Sequence, residues 1–311
     1  MRRRPAALAA PALLAALALA LAGCGFVGPS APTAVQVLVT RDFGSQVLRR
    51  SGVLKASGGE SVMSLLSRND AVAAVSDGHI VEGIDGVSGG QEDGQPLNWF
   101  YYVNGVEAPK GASATDVHPG DHIWWDLHNW SQAEKIPAVV GSFPEPFLNG
   151  YEGTRLPIRI ECAPAATSAC ATVTTRLRAL GVPAAIAAIG SGGAPETLRL
   201  MVGPWDQLEA SLAQSLQRGP RSNGVYARFS PSGSALTLLD ANGNAVQTLT
   251  GAGLIAATRQ GEEAPVWVVT GTNGAGLDEA ARAFDRATLE DHFAVALAPG
   301  GAAVALPDLG R

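Results

Sequence analysis

The sequence predicts an α+β fold in two parts, on three observations. Short runs rich in aromatic and β-branched residues, broken by glycine turns, fill residues 34–145. Strand-like and helix-like segments alternate over residues 152–311. Between them, Ser142-Phe143-Pro144-Glu145-Pro146-Phe147 followed by Asn149-Gly150 reads as a connector. A chain of 311 residues is long enough for two ordinary domains.

In the first part, Val35-Gln36-Val37-Leu38-Val39-Thr40 reads as a strand. Gly58-Gly59-Glu60 leads into a short amphipathic helix with Val62, Leu65 and Leu66 on one face. Residues 72–75 and 79–84 read as short strands, and Gly83, Gly86, Gly89 and Gly90 as turns. Asn98-Trp99-Phe100-Tyr101-Tyr102-Val103 then runs into Asn104-Gly105, the dipeptide best suited to a tight hairpin. After Pro119-Gly120-Asp121, strand alternation over residues 122–130 places His122, Trp124, Asp126 and His128 on one face and Ile123, Trp125 and Leu127 on the other. The second set is the natural core face. The first is therefore expected to form a partly exposed aromatic and polar surface.

Trp99, Tyr101, Trp124 and Trp130 are the candidate stacking residues for a planar ligand or a sugar ring, with His122 as a polar neighbour. The competing reading is that the small sheet uses these aromatics as core, Trp99 and Trp125 above all. His122 and His128 lie six residues apart, roughly 20 Å along an extended strand, so no metal site is expected.

Ile84-Asp85-Gly86, the strand and turn from Trp99 to Gly105, and Gly120-Asp121-His122-Ile123-Trp124-Trp125 together resemble the transcobalamin-like C-terminal domain, or DUF4430, family. The resemblance covers about residues 34–145 and implies a small β-grasp-like domain. In vitamin B12 carriers this domain helps enclose the corrinoid against an all-helical partner. Cobalamin is thus the ligand that the resemblance implies, although the helical barrel is missing here and Gly86 to Pro96 does not align by inspection.

The second part opens with a strand over Leu156–Cys162 and a helix over Val173–Leu180, stopped by Gly181-Val182-Pro183. Leu208, Leu212 and Leu216 mark a second helix, and residues 225–229, 236–239 and 254–257 read as strands. Residues 266–270 form another strand before a helix over 277–287, and a last strand covers 293–297. Leu198–Gly203 plus helix echoes Val266–Gly271 plus helix, which reads as an internal duplication of an α/β unit; the alternative is that such units recur in any α/β domain. No family resemblance is found for residues 152–311.

This part offers no enzyme motif. Gly271-Thr272-Asn273-Gly274-Ala275-Gly276 has the form of an anion cradle but lacks the nucleotide-binding lysine and dinucleotide spacing. Ser191, Ser222 and Ser230 have no identifiable base, and His292 is the one histidine available for acid–base chemistry. Asp206 and Asp278 read as favourable charges at helix starts. A non-catalytic protein is expected.

The N-terminus sets the location. Arg2, Arg3 and Arg4 precede an Ala/Leu run from Ala6 to Ala22, a secretory signal. It ends in Leu21-Ala22-Gly23-Cys24, which resembles the lipobox of bacterial lipoproteins and implies cleavage before an acylated Cys24. Residues 26–33, punctuated by glycine and proline, then read as a tether on the extracytoplasmic face of the membrane. Cleavage removes three of 22 basic residues and none of 28 acidic ones, so the net charge falls from −6 to −9. With three lysines and no basic run, nucleic acid is an unsuitable partner. Export leaves Cys162 and Cys170 free to pair.

The functional expectation is a lipid-anchored binding protein that captures cobalamin or another small molecule for a membrane transporter. The alternatives are a structural or protein-binding module of the cell envelope and, behind it, an enzyme of unrecognised type.

Overall fold

The computed structural model describes residues 34–75, 80–191 and 193–310. Cys24 and the lipobox expected around it lie outside the described residues.

The first part contains β1 (Ala34–Arg41), β2 (Gln46–Arg50), β3 (Leu54–Lys55), α1 (Val62–Asn69), β4 (Val72–Val75), β5 (Ile80–Ile84), β6 (Val87–Ser88), β7 (Gly90–Glu92), β8 (Gln95–Val103), β9 (Val106–Glu107) and β10 (His122–Asn129). The main sheet follows the path β2-β1-β10-β8-β7, with β3 on β1 and β9 on β8, while β4, β5 and β6 form a separate small sheet. β1 and β10 are parallel and pair Leu38 with Trp124 and Val39 with Trp125. β10 and β8 are antiparallel and pair Trp125 with Tyr101. Asn104 and Gly105 close the β8–β9 hairpin at φ of 55° and 78°, left-handed values that these two residues tolerate best. Ser61 caps α1 by accepting the Ser64 N–H at 3.1 Å, and Val62, Leu65 and Leu66 pack on the outer face of the sheet with Ile123, Trp125 and Leu127.

The second part contains β11 (Ile158–Cys162), α2 (Thr167–Ala179), β12 (Ala185–Ala188), β13 (Leu198–Pro204), α3 (Ala210–Arg218), α4 (Pro220–Asn223), β14 (Ala227–Phe229), β15 (Leu236–Leu239), β16 (Ala245–Leu249), β17 (Gly253–Thr258), β18 (Val266–Gly271), α5 (Gly274–Arg282), α6 (Arg286–Leu289), β19 (Ala294–Leu297) and β20 (Ala303–Leu306). Its main sheet has the order β12-β11-β13-β18-β17-β19-β20, and β14, β15 and β16 form a side sheet. The chain is therefore α+β, as expected. β13 and β18, the strands of the suspected duplication, lie side by side and parallel. Their helices diverge: α5 packs with Val202 and Val269 on one face of the sheet, and α3 with Met201 and Val268 on the other. The likeness stops at the strands.

The expected open face of β10 is a correction. Trp124 and Asp126 are fully buried and His128 nearly so. The reason lies far along the chain: the inner face of the second sheet, with Leu254, Ala256, Val268, Ala294 and Ala296, packs onto Leu38, Phe43, Tyr102 and Trp124. Phe293 sits at the centre, its ring 5.1 Å from Trp124 and 5.4 Å from both Phe43 and His128.

The polar groups of β10 on this face are paired, as burial favours, whereas the buried Tyr102 and Tyr226 hydroxyls beside them have no partner among the described residues. The Asp126 carboxylate accepts from Phe43 N–H (3.1 Å), Gly44 N–H (2.9 Å) and the Thr40 hydroxyl (2.5 Å), and bonds His128 Nδ1 at 2.8 Å. Trp124 Nε1 donates to Thr40 Oγ1 at 2.7 Å. The connector is also core: Phe143 and Phe147 lie against Trp267 and Phe284. The described residues thus fall in one compact unit.

Candidate functional site

Because β8 alternates its side chains, Trp99, Tyr101 and Val103 go to the outer core and Tyr102 to the inner one. On the outer side, the arm made by β4, β5 and β6 leaves two adjoining cavities against β8. One, of about 500 Å³, is lined by Ala73, Ile80, Val81, Glu82, Ser88, Asn98 and Trp99 among others. The other, of about 240 Å³, is lined by Ile80, Val81, Trp99, Tyr101, Glu107, Lys110 and Trp125 among others. Ile80, Val81 and Trp99 line both, so the two cavities adjoin as the two lobes of one groove, with Ile80 exposed at its rim.

The floor is aromatic and already ordered. Tyr101 stacks on Trp125 with ring centroids 4.7 Å apart. Tyr101 donates its hydroxyl to Lys110 O at 2.6 Å and is bonded to Thr115 Oγ1 at 2.8 Å. Burial pushes that hydroxyl up to about 12, so it stays neutral. Trp99 Nε1 reaches Val87 O at 3.3 Å. Trp125 differs: it is 2 % exposed, and its Nε1 has no hydrogen-bond partner among the described residues. Leaving a buried donor unpaired costs on the order of 1–3 kcal/mol.

Glu107 adds a titratable group at the groove wall. Burial raises its carboxyl to about 7, against the opposing pull of the Ile136 N–H and the Lys135 charge. Its Oε2 has no hydrogen-bond partner among the described residues.

The residues singled out in the sequence are thus divided. Trp99 and Tyr101 line the groove, whereas Trp124 lies on the opposite face of the same sheet with its N–H committed to Thr40. Half-buried Trp130 follows β10 and lines neither cavity. His122 lines a separate cavity of about 260 Å³, its Nδ1 2.9 Å from Ser142 Oγ. Burial first, then the Arg286 and Arg50 charges, lower it to about 4, so the ring is neutral at neutral pH. His128 is stacked between Phe43 and Phe100. Cys162 and Cys170 are at bonding distance, with Cα atoms 6.0 Å apart.

Trp125, Ile80 and Val81 are the groove residues that the sequence reading assigned to core or strand alone. The signal for Trp125 was its register: once β8 and β10 pair, it falls directly beside Tyr101.

The fold defines the first part as a small twisted sheet crossed by one helix on its outer face. Residues 59–129 match the model of a family described as "Domain of unknown function (DUF4430)". The match begins just before α1 and ends with β10, so it contains every groove residue and leaves β1 outside. No curated protein matches the chain.

Proposed function

We propose that the protein is a lipid-anchored, extracytoplasmic binding protein that captures a small molecule in the Trp99–Tyr101–Trp125 groove and delivers it to a membrane transporter. The observation that carries this reading is the Trp125 N–H, buried and unpaired at the wall of an aromatic groove. The N–H has no open surface in the unliganded chain, so a ligand reaches it by opening the groove wall; an acceptor atom placed there then removes the cost of the unpaired donor, while Trp99 and Ile80 supply apolar contact at the mouth. The two cavities together are of the size that takes a drug-sized molecule or one edge of a larger one. Cobalamin is the first candidate, through the resemblance to the B12 carriers. The leader and Cys24 motif support the anchor.

The test is native mass spectrometry of the protein extracted from membranes in mild detergent. The reading expects an acyl-modified Cys24 N-terminus and a small-molecule adduct that dissociates on activation and falls in occupancy in Trp125→Phe. An unmodified N-terminus overturns the anchor; an adduct of unchanged occupancy in Trp125→Phe overturns the groove.

A further inference from the structure

β12 is the outer strand of the second sheet. It pairs in parallel with β11 from Arg159–Ala185 to Cys162–Ala188, and no described strand lies on its other side. Its sequence, Ala-Ile-Ala-Ala, carries no charge, proline or bulge, the devices that ordinarily close an edge. By contrast, the edge strand β2 carries Arg49 and Arg50.

Beside this edge a cavity of about 430 Å³ runs between Ile186 and the outer side of α2, along Thr167, Ala171, Thr174 and Arg178. Ile186 is 62 % exposed, and Thr174 Oγ1 is buried there without a hydrogen-bond partner among the described residues. None of the residues lining the cavity is acidic.

Two cations flank the edge. Ile158 and Ile160 of β11 face α2, so alternation sends Arg159 to the opposite face of the sheet, while Arg178 stands on α2 itself. Neither arginine has an ion-pair partner among the described residues. A second copy of the chain is a poor occupant, because two-fold pairing of the edges brings each arginine near its own equivalents.

We propose that the β12 edge docks an acidic, extended segment of a partner protein, which adds to the sheet as an eighth strand. The free main-chain groups of β12 bond the segment, an apolar side chain enters the groove beside Ile186, and carboxylates alternate between Arg159 and Arg178. This surface is independent of the aromatic groove.

Selection of random twelve-residue phage-displayed peptides on the intact, oxidised protein tests it. Enriched sequences should carry Asp or Glu on both faces of the extended strand, with an apolar residue on the face that meets Ile186. A fluorescein-labelled synthetic copy should bind at least tenfold more weakly to Arg159→Glu/Arg178→Glu and to Ile186→Asp, with the melting temperature of both variants unchanged. No enrichment, enrichment without acidic bias, or binding by either variant equal to that of the parent overturns the proposal. So does a dimer in sedimentation velocity that Ile186→Asp dissociates, since the occupant is then a second copy.

Discussion

Trp124 and Trp125 are neighbours in β10 and bury their indoles on opposite faces of one sheet. Trp124 Nε1 is bonded to Thr40 Oγ1, while Trp125 Nε1 has no partner among the described residues. One tryptophan locks the two parts of the chain together, and the other stands in a groove. Substitution separates the two tasks. Trp125→Phe should change stability by no more than about 1–2 kcal/mol, because removal of the unpaired donor offsets the cavity left beside Tyr101, and should weaken ligand binding about tenfold, the worth of one hydrogen bond. Trp124→Phe should cost about 2–4 kcal/mol in urea unfolding through a lost bond and a cavity, and leave binding by the folded fraction intact.

Asp126 is the hub of the inner face. Asp126→Ala leaves two backbone N–H groups and the Thr40 hydroxyl without their acceptor, at on the order of 1–3 kcal/mol each. A loss of at least about 3 kcal/mol is expected in chemical denaturation. A loss below 1 kcal/mol would contradict the network described.

Glu107 predicts a pH dependence. Its folded pKa, about 7, lies above the ordinary 4.5. The folded state therefore holds the proton more tightly than the unfolded chain, and its contribution to stability is full below pH 4.5 and declines as pH rises towards 7. Glu107→Gln should be more stable than the parent at pH 8, by on the order of 1–2 kcal/mol, and no more stable at pH 4. Thermal unfolding across that range checks both the sign and the window.

The Cys162–Cys170 pair ties the end of β11 to the first turn of α2 across a sequence separation of 8. Closing so short a loop is worth about 2–3 kcal/mol. Dithiothreitol should lower the urea midpoint accordingly, and a Cys162→Ser/Cys170→Ser double variant should match the reduced protein and no longer respond to reductant.

The parts of the fold that were legible in the sequence are those set by local pattern. Asn98–Gly105 specified a hairpin because aromatic and β-branched residues end in a dipeptide suited to left-handed φ. Ile123, Trp125 and Leu127 specified a core face because alternation and polarity agreed. The face carrying Trp124, Asp126 and His128 was misread, since what covers it, Phe293 and its strand neighbours, lies more than 160 residues away. The edge strands β12 and β16 went unread because they are short, largely exposed and without alternation, and β20 because a short run of alanine, valine and leucine shows no period. The groove was half legible: Trp99 and Tyr101 were candidates by type, but an unpaired indole N–H is a property of packing that no sequence pattern encodes.

The most direct test of the groove is a ¹⁵N–¹H spectrum of the indole region during titration with cyanocobalamin. The six tryptophans give six side-chain signals, each assignable by single Trp→Phe variants. The account predicts that the Trp99 and Trp125 signals move together and saturably, while Trp124 stays fixed. Saturable movement of Trp124 or Trp130 without Trp125, or no movement at millimolar ligand, would contradict it.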